Sequence, residues 1–385
     1  MFPVVTYELF FRLILRHVPP GIAHTLAAVP LGTAGRIGPV RRAVRRWLAP
    51  MDSVLRVNAF GRVFATPLGV AAGMDKNATW YEGLGMIGFG CVEVGSATGV
   101  PQRGFRGQNI ERLFEQRAML NWMGFPNDGS QRIATRLRGR SGELVVGVNI
   151  GKSKHVAVEH AGGDYRRSVR ELAPLADYLV LNVSSPNTPG LRGMQAAEIL
   201  GDLIADVQDE LARLQLELPL LVKLGPDLDP EQIDAIADLA LERGLAGLIA
   251  TNTTVDRTGF ASRLLEPGQP AGLSGPPLKP RALAVLRQLR ARVGDDLVLI
   301  AVGGISTPED AWERILAGAT LVQAHTGFVY GGPLWPRTVN DHLAARAREH
   351  GCTSIQEMVG AGSRRTLTTL ESRRRGSIQA PERGR

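Results

Sequence analysis

The chain has 385 residues, 44% of them hydrophobic, a formal net charge of +8 and only two cysteines, Cys91 and Cys352. That is enough apolar material for a large core, whereas two cysteines so far apart build neither a disulfide framework nor a zinc site, so a reducing compartment is expected. The charge sits at the ends: residues 1–50 carry a net +6 and residues 351–385 a net +4, leaving about −2 on the body, which excludes a nucleic-acid enzyme with a basic folded surface.

Over residues 4–18, Tyr7, Phe10, Phe11, Ile14 and Val18 recur at helical spacing, with Arg12 and Arg16 one turn apart on the other face. Pro19 and Pro20 stop this helix, a second begins near Gly21, and Val40–Leu48 forms a basic third. No apolar run approaches the ~20 residues of a bilayer span. A secretory signal does not fit either, because the arginines fall within and after the apolar stretch rather than before it. Residues 1–50 therefore form a helical extension that either lies in the plane of a membrane, with arginines on anionic headgroups, or packs on its own protein.

From Leu68 the chain repeats one grammar: apolar strand, polar or glycine-rich loop, helix. Strands are expected at Leu68–Ala72, Cys91–Gly95, Leu144–Asn149, Tyr178–Asn182, Leu220–Lys223, Leu248–Thr251, Leu297–Val302 and Leu321–His325, and helices include Gln195–Leu216, Pro230–Arg243, Pro280–Val293 and Pro308–Ala317. Eight parallel strands alternating with helices close into an α/β (β/α)8 TIM barrel, here spanning residues 51–350 behind the N-terminal extension. The long connections 100–143 and 252–280 are expected to cover the active site. Residues 351–385 form a basic tail, and beyond Ala361 its Arg, Ser, Thr and Gly lack any apolar period, which predicts disorder.

The strand ends carry the chemistry. They read AAGMDK, GSAT, NIGKSK, NVSSPN, KLGPD, TNTT, GGI and HTG, polar at all eight positions, where a barrel of this kind keeps its active site. Asn149, Asn182 and Asn252 end three different strands, and their amides suit a planar ligand with carbonyl, amide and carboxylate edges. The stretch Tyr178–Gly193, YLVLNVSSPNTPGLRG, runs from a buried strand into a loop stiffened by Pro186 and Pro189. It is either a loop that aims hydrogen-bonding groups at a small molecule or an ordinary strand-to-turn junction. Gly303–Gly304 and Thr326–Gly327 follow strands seven and eight, the usual phosphate position of such barrels, so a phosphorylated cofactor is indicated. No GxGxxG follows an N-terminal strand, so a Rossmann site finds no support. Arginine is the habitual cation, which singles out the five lysines: Lys76, Lys152, Lys154 and Lys223 fall just after strands or at their ends, and Lys279 does not.

AAGMDK, NWMGFPN, NIGKSK, NVSSPNTPGLRG, VKLGPD, ATNTT, GGLSG and AVGGI, in that order, resemble the dihydroorotate dehydrogenases of class 2, the quinone-dependent, membrane-associated branch, from about Leu55 to Asp341. The resemblance implies FMN as cofactor, with Ala72, Gly73, Ser96, Asn149, Asn182, Lys223, Thr251, Gly275, Gly304, His325 and Thr326 at its contact positions. It implies dihydroorotate, leaving as orotate, at or beside Lys76, Asn121, Trp122, Met123, Gly124, Phe125, Asn182, Asn187, Asn252 and Thr253. It places the catalytic base at Ser185, a membrane quinone as the final electron acceptor, no metal, and the protein at the cytoplasmic side of the cell membrane as a peripheral component. Serine is a poor base at neutral pH, so Ser185 must pass its proton to neighbours or water. Lys223 can place positive charge beside a reduced flavin.

The chain also departs from that pattern. Trp122 replaces an arginine, Pro126 an asparagine, Glu115 the last arginine of RLFR, His325 a tyrosine and Ser96 a threonine; His24 matches a histidine of the quinone-tunnel helices. Glu115 and His325 raise the alternative of another acceptor, fumarate or NAD. Trp122 and Pro126 raise that of a non-catalytic flavin-binding scaffold with a closed pocket.

Overall fold

The computed structural model describes residues 2–49, 52–107, 109–188, 190–260, 262, 264–265 and 269–362. Pro189 and the tail beyond Gly362 lie outside the described residues.

Eight strands form a closed parallel barrel: β1 (Leu68–Val70), β2 (Cys91–Ala97), β3 (Val145–Gly151), β4 (Tyr178–Asn182), β5 (Leu220–Leu224), β6 (Gly247–Ala250), β7 (Val298–Val302) and β8 (Leu321–Ala324). Each pairs with its neighbour in sequence, and β8 closes on β1 through Val322 opposite Leu68. The strands are buried on both faces, which is why they read as nearly continuous apolar runs. The helices lie outside; Ala197–Arg213, for example, turns Leu200, Leu203, Ile204, Val207 and Leu211 onto the sheet. Asp229 and Thr307 each cap a helix in a reciprocal capping box, which marks where chain leaves the barrel mouth and becomes helix. At the opposite end the hairpin Val57–Ala59/Arg62–Phe64 closes the barrel, with the Phe60 ring 5.4 Å from that of Tyr178.

The N-terminal helices are α1 (Phe2–Leu13), α2 (Pro20–Arg36) and α3 (Gly38–Leu48). The helix expected over 4–18 ends earlier, and a 3-10 turn at Leu15–His17 redirects the chain into α2. Pro20 opens α2 at a position that needs no N–H partner. α2 then presses against the helix Tyr81–Met86 at two glycines: a Cβ on Gly35 would lie 2.4 Å from the Gly83 nitrogen, and one on Gly83 2.3 Å from the Leu31 oxygen. Only glycine permits that approach, and it holds α2 over the barrel mouth.

The two long connections hold a sheet that periodicity did not reveal. Ile110–Leu113 and Ala118–Asn121 form an antiparallel hairpin, and Gly272–Ser274, from the other connection, pairs with its second strand. This sheet stands between α1 and the barrel mouth, where Phe11, Met119 and Tyr330 form a small core of their own. Cys352, Ile355, Met358 and Ala361 are buried against the barrel body. Helix Trp335–Glu349 supplies the surface they cover, which a reading based on strands alone does not anticipate.

Candidate active site and tunnel

A single cavity of about 900 Å³ runs from the gap between α1 and α2 down to the carboxyl ends of the barrel strands. Its outer part is apolar, lined by Tyr7, Phe10, Phe11, Leu15, Ala27 and Leu31; its floor is polar, lined by Lys76, Ser96, Asn182, Ser185, Lys223 and Thr251.

The floor is a hydrogen-bonded ring contributed by five strands. Asn182 Nδ2 donates to Ser96 Oγ (2.7 Å) and Asn149 Oδ1 (3.2 Å), and Ser96 Oγ donates to Asn149 Oδ1 (2.5 Å). Beneath them Glu93, fully buried in β2, accepts from Asn149 Nδ2 at 2.8 Å and from Gln323 Nε2 at 2.9 Å, and pairs with Lys223 Nζ at 3.4 Å. Such a pair holds its ammonium in place because neither charge can turn to water. On the other side Asn252 Nδ2 donates to Ser184 Oγ (3.1 Å), and Asn187 Nδ2 to Asn121 Oδ1 (3.0 Å), so the β4 loop is tied to β6 and to the hairpin.

The β4 loop is also clamped from outside. Arg192 pairs with Asp227 (2.7 Å) and donates to the Thr253 carbonyl (2.9 Å), while Arg281 reaches the other Asp227 oxygen (2.6 Å). Burial works against the Asp227 charge, but the Thr254 hydroxyl, the Val255 amide and Arg192 hold its carboxyl below the usual range. Ser185 is 3% exposed, its Oγ accepting from the Asn187 amide at 3.3 Å. The Asn187 Oδ1 and Gln323 Oε1 atoms are buried without a donor among the described residues, although both side chains reach the cavity, so a ligand bearing N–H groups would complete them.

Lys76 donates to the Gly73 carbonyl at 2.7 Å, and burial brings its pKa down to about 8 against a smaller opposing pull from Asp75. His325, at the end of β8, is pushed down to about 3 by burial and by Lys76, His24 and Lys223, so its imidazole is neutral. Higher in the tunnel, a ring nitrogen of His24 lies 2.9 Å from the Met74 carbonyl, and the ring stands edge-on to Trp80 at 5.3 Å. Arg112 lines the cavity, donates to the Val18 carbonyl and lies over the Phe114 ring at 5.5 Å; burial lowers its pKa.

Ala72, Gly73, Ser96, Asn182, Lys223, Thr251, Gly275, Gly304, His325 and Thr326 come together along this cavity, as do Lys76, Asn121, Met123, Phe125, Ser185, Asn187, Asn252 and Thr253. Asn149 lies one layer below, holding the floor without lining it. Two residues expected at the substrate do not line the cavity. Trp122 follows Asn121 on an extended strand, so it points to the opposite face, where it is buried with Leu120, Ala271 and Leu273. Gly124 shapes the backbone at φ 71°, its carbonyl accepting from Gln102. Glu115 is exposed in the hairpin turn and does not line the cavity. Glu93 and Gln323 went unrecognised in the sequence, although a charge inside the apolar run CVEVG was the available signal.

The family model for dihydroorotate dehydrogenase matches residues 54–346. A Thermobifida fusca protein named dihydroorotate dehydrogenase (quinone) is 54% identical over 366 residues, covering 92% of this chain and 96% of its own length. A Streptomyces coelicolor protein of the same name is 50% identical, with 93% and 99% covered. Among solved structures, the Eimeria tenella DHODH in complex with ferulenol superposes with a TM-score of 0.82 at 34% identity, covering 92% of this chain and 99% of that one.

Proposed function

Because the chain belongs to the dihydroorotate dehydrogenase family, we propose that it oxidises (S)-dihydroorotate to orotate with FMN as cofactor and a membrane quinone as acceptor, a step of pyrimidine (UMP) synthesis. The observation that carries this reading is the one cavity with two characters, a polar floor for a charged heterocycle and an apolar tunnel leading out between α1 and α2.

The donor set fits FMN. Lys223 faces the cavity as a fixed cation, Ser96, Asn182 and Thr251 offer hydroxyl and amide groups beside it, and Gly275, Gly304 and Thr326 leave backbone exposed where a phosphate would sit. FMN held there would supply the two-electron redox chemistry, as hydride acceptor toward the substrate and electron donor toward the quinone. The substrate carboxylate and ring amides would be held by Lys76, Asn121, Asn187, Asn252 and Thr253, and the vacant acceptor on Asn187 Oδ1 suits a ring N–H. Ser185 Oγ takes the ring-carbon proton while its own hydroxyl proton passes on to a neighbouring group or water. The clamp through Arg192 and Asp227 keeps the Ser185 loop seated.

The tunnel mouth supports a membrane-facing role. Leu9, Phe10 and Leu13 on α1, Ile14 just after it, and Ile22, Leu26 and Val29 on α2 are exposed apolar side chains, flanked by Arg12, Arg16 and the arginines of α3. No described helix is long and apolar enough to cross a membrane. In this reading residues 1–50 rest on the cytoplasmic face of the cell membrane and admit quinone from it. The test is to add dihydroorotate to the yellow protein without oxygen. Bleaching followed by recolouring on addition of a quinone is expected; a spectrum that stays yellow removes the reading.

A further inference from the structure

Arg314, on the helix Pro308–Leu316, is 1% exposed. Its Nη2 donates to two carbonyls at once, Lys279 (2.9 Å) and Gly303 (3.1 Å), while Nε and Nη1 have no partner among the described residues. No carboxylate among the described residues pairs with it, because the nearby acids are engaged elsewhere: Lys279 Nζ holds Asp310 at 2.6 Å and Glu313 at 3.1 Å, and Asp310 also accepts from the Ser306 and Thr307 amides. Burial lowers the Arg314 pKa to about 10, which still leaves it charged at neutral pH. Asp310 and Glu313 favour its charge from nearby but bond to Lys279 instead, so the buried guanidinium has no bonded carboxylate and its charge acts through the surrounding protein on any further anion close by.

The two carbonyls it grips belong to backbone at the cavity. Gly303 and Gly304, at φ 103° and 73°, line it, and a Cβ on Gly304 would fall 2.3 Å from the Lys279 Cα, so the loop after β7 is pressed directly onto the start of helix Lys279–Val293. Turning the Gly303 carbonyl inward onto Arg314 holds this segment in one conformation and leaves a positive charge behind it.

We propose that Arg314 is a positioning residue for the phosphate of the bound flavin: it fixes the Gly303–Gly304 loop and supplies the buried counter-charge, so that the site selects a phosphorylated flavin over riboflavin. This rests on the FMN reading above and assigns phosphate selection to a residue that never reaches the cavity itself.

The test strips the flavin from the full chain and titrates FMN and riboflavin separately by quenching of flavin fluorescence, in wild type, Arg314→Met and Arg314→Lys. Wild type is expected to prefer FMN. Arg314→Met is expected to lose about tenfold or more in FMN affinity with riboflavin affinity unchanged within about twofold, and Arg314→Lys to recover part of the preference, since a buried charge acts on phosphate and not on the neutral isoalloxazine. Should methionine not be accepted in the fold, Arg314→Gln replaces it, keeping a donor for one carbonyl without the charge. An FMN preference that survives in the uncharged variant, or an equal loss for both flavins, overturns the role of Arg314. A wild type that binds neither flavin sinks the FMN reading itself.

Discussion

Lys76 is the substrate-side group whose charge the pocket tolerates least. Its ammonium donates to the Gly73 carbonyl, but its neighbour Asp75 is occupied by the Thr79 and Trp80 amides at 2.9 and 2.8 Å. A fall in pKa from 10.5 to about 8 means that holding the ammonium costs the ligand-free fold about 3 kcal/mol below pH 8. The sign follows directly: between pH 8 and 10.5 the unfolded chain binds more protons at this group, so its contribution to stability rises with pH there and is at its worst below. A carboxylate ligand reverses this by giving the ammonium its partner. If only the protonated form binds, the fraction competent falls from about nine-tenths at pH 7 to about one-tenth at pH 9, and the orotate Kd rises about tenfold over that span. Orotate titrations followed by the flavin absorbance at pH 7, 8 and 9 measure it. Lys76→Met should bind orotate more weakly at pH 7 and lose the pH slope. A wild-type Kd flat from pH 7 to 9, or a slope that persists in Lys76→Met, refutes the assignment.

Other perturbations separate the remaining parts of the site. Ser185→Ala should keep its flavin and lose about 10²–10⁴ in the rate of flavin reduction by dihydroorotate, the span of general-base effects; undiminished stopped-flow bleaching would place the base elsewhere. Glu93→Gln leaves Lys223 buried beside a neutral group and should lower stability by about 3–5 kcal/mol in urea unfolding; a wild-type midpoint would show that the pair is not needed. Trp122→Phe should cost stability but leave orotate affinity within about twofold, since that ring packs on the far side of the strand; a large affinity change would return it to the pocket. Leu13→Asp combined with Leu26→Asp should abolish pelleting with anionic liposomes while flavin reduction continues, and undiminished pelleting would move the membrane contact away from α1 and α2.

Much of this molecule was legible from local pattern. Parallel barrel strands are buried on both faces, so each of the eight appeared as a short apolar run, and each run ended in polar groups because the site occupies one end of the barrel. Lys76 and Asn252 therefore stood out by position at strand ends, whereas Ser185 was singled out by the resemblance of its loop. What stayed hidden depends on partners distant in sequence. Glu93 has meaning only beside Lys223, 130 residues away. The hairpin at Ile110–Asn121 needs Gly272–Ser274 to become a sheet, and that sheet decides that Asn121 faces the cavity and Trp122 does not. Gly35 reads as an ordinary weakness in a helix until Gly83 is packed against it. Local sequence sets periodicity and propensity; which face is inward, which charge is paired and which remains without a counter-ion are settled only when separate segments close around one another, because burial and desolvation belong to the assembled tertiary structure.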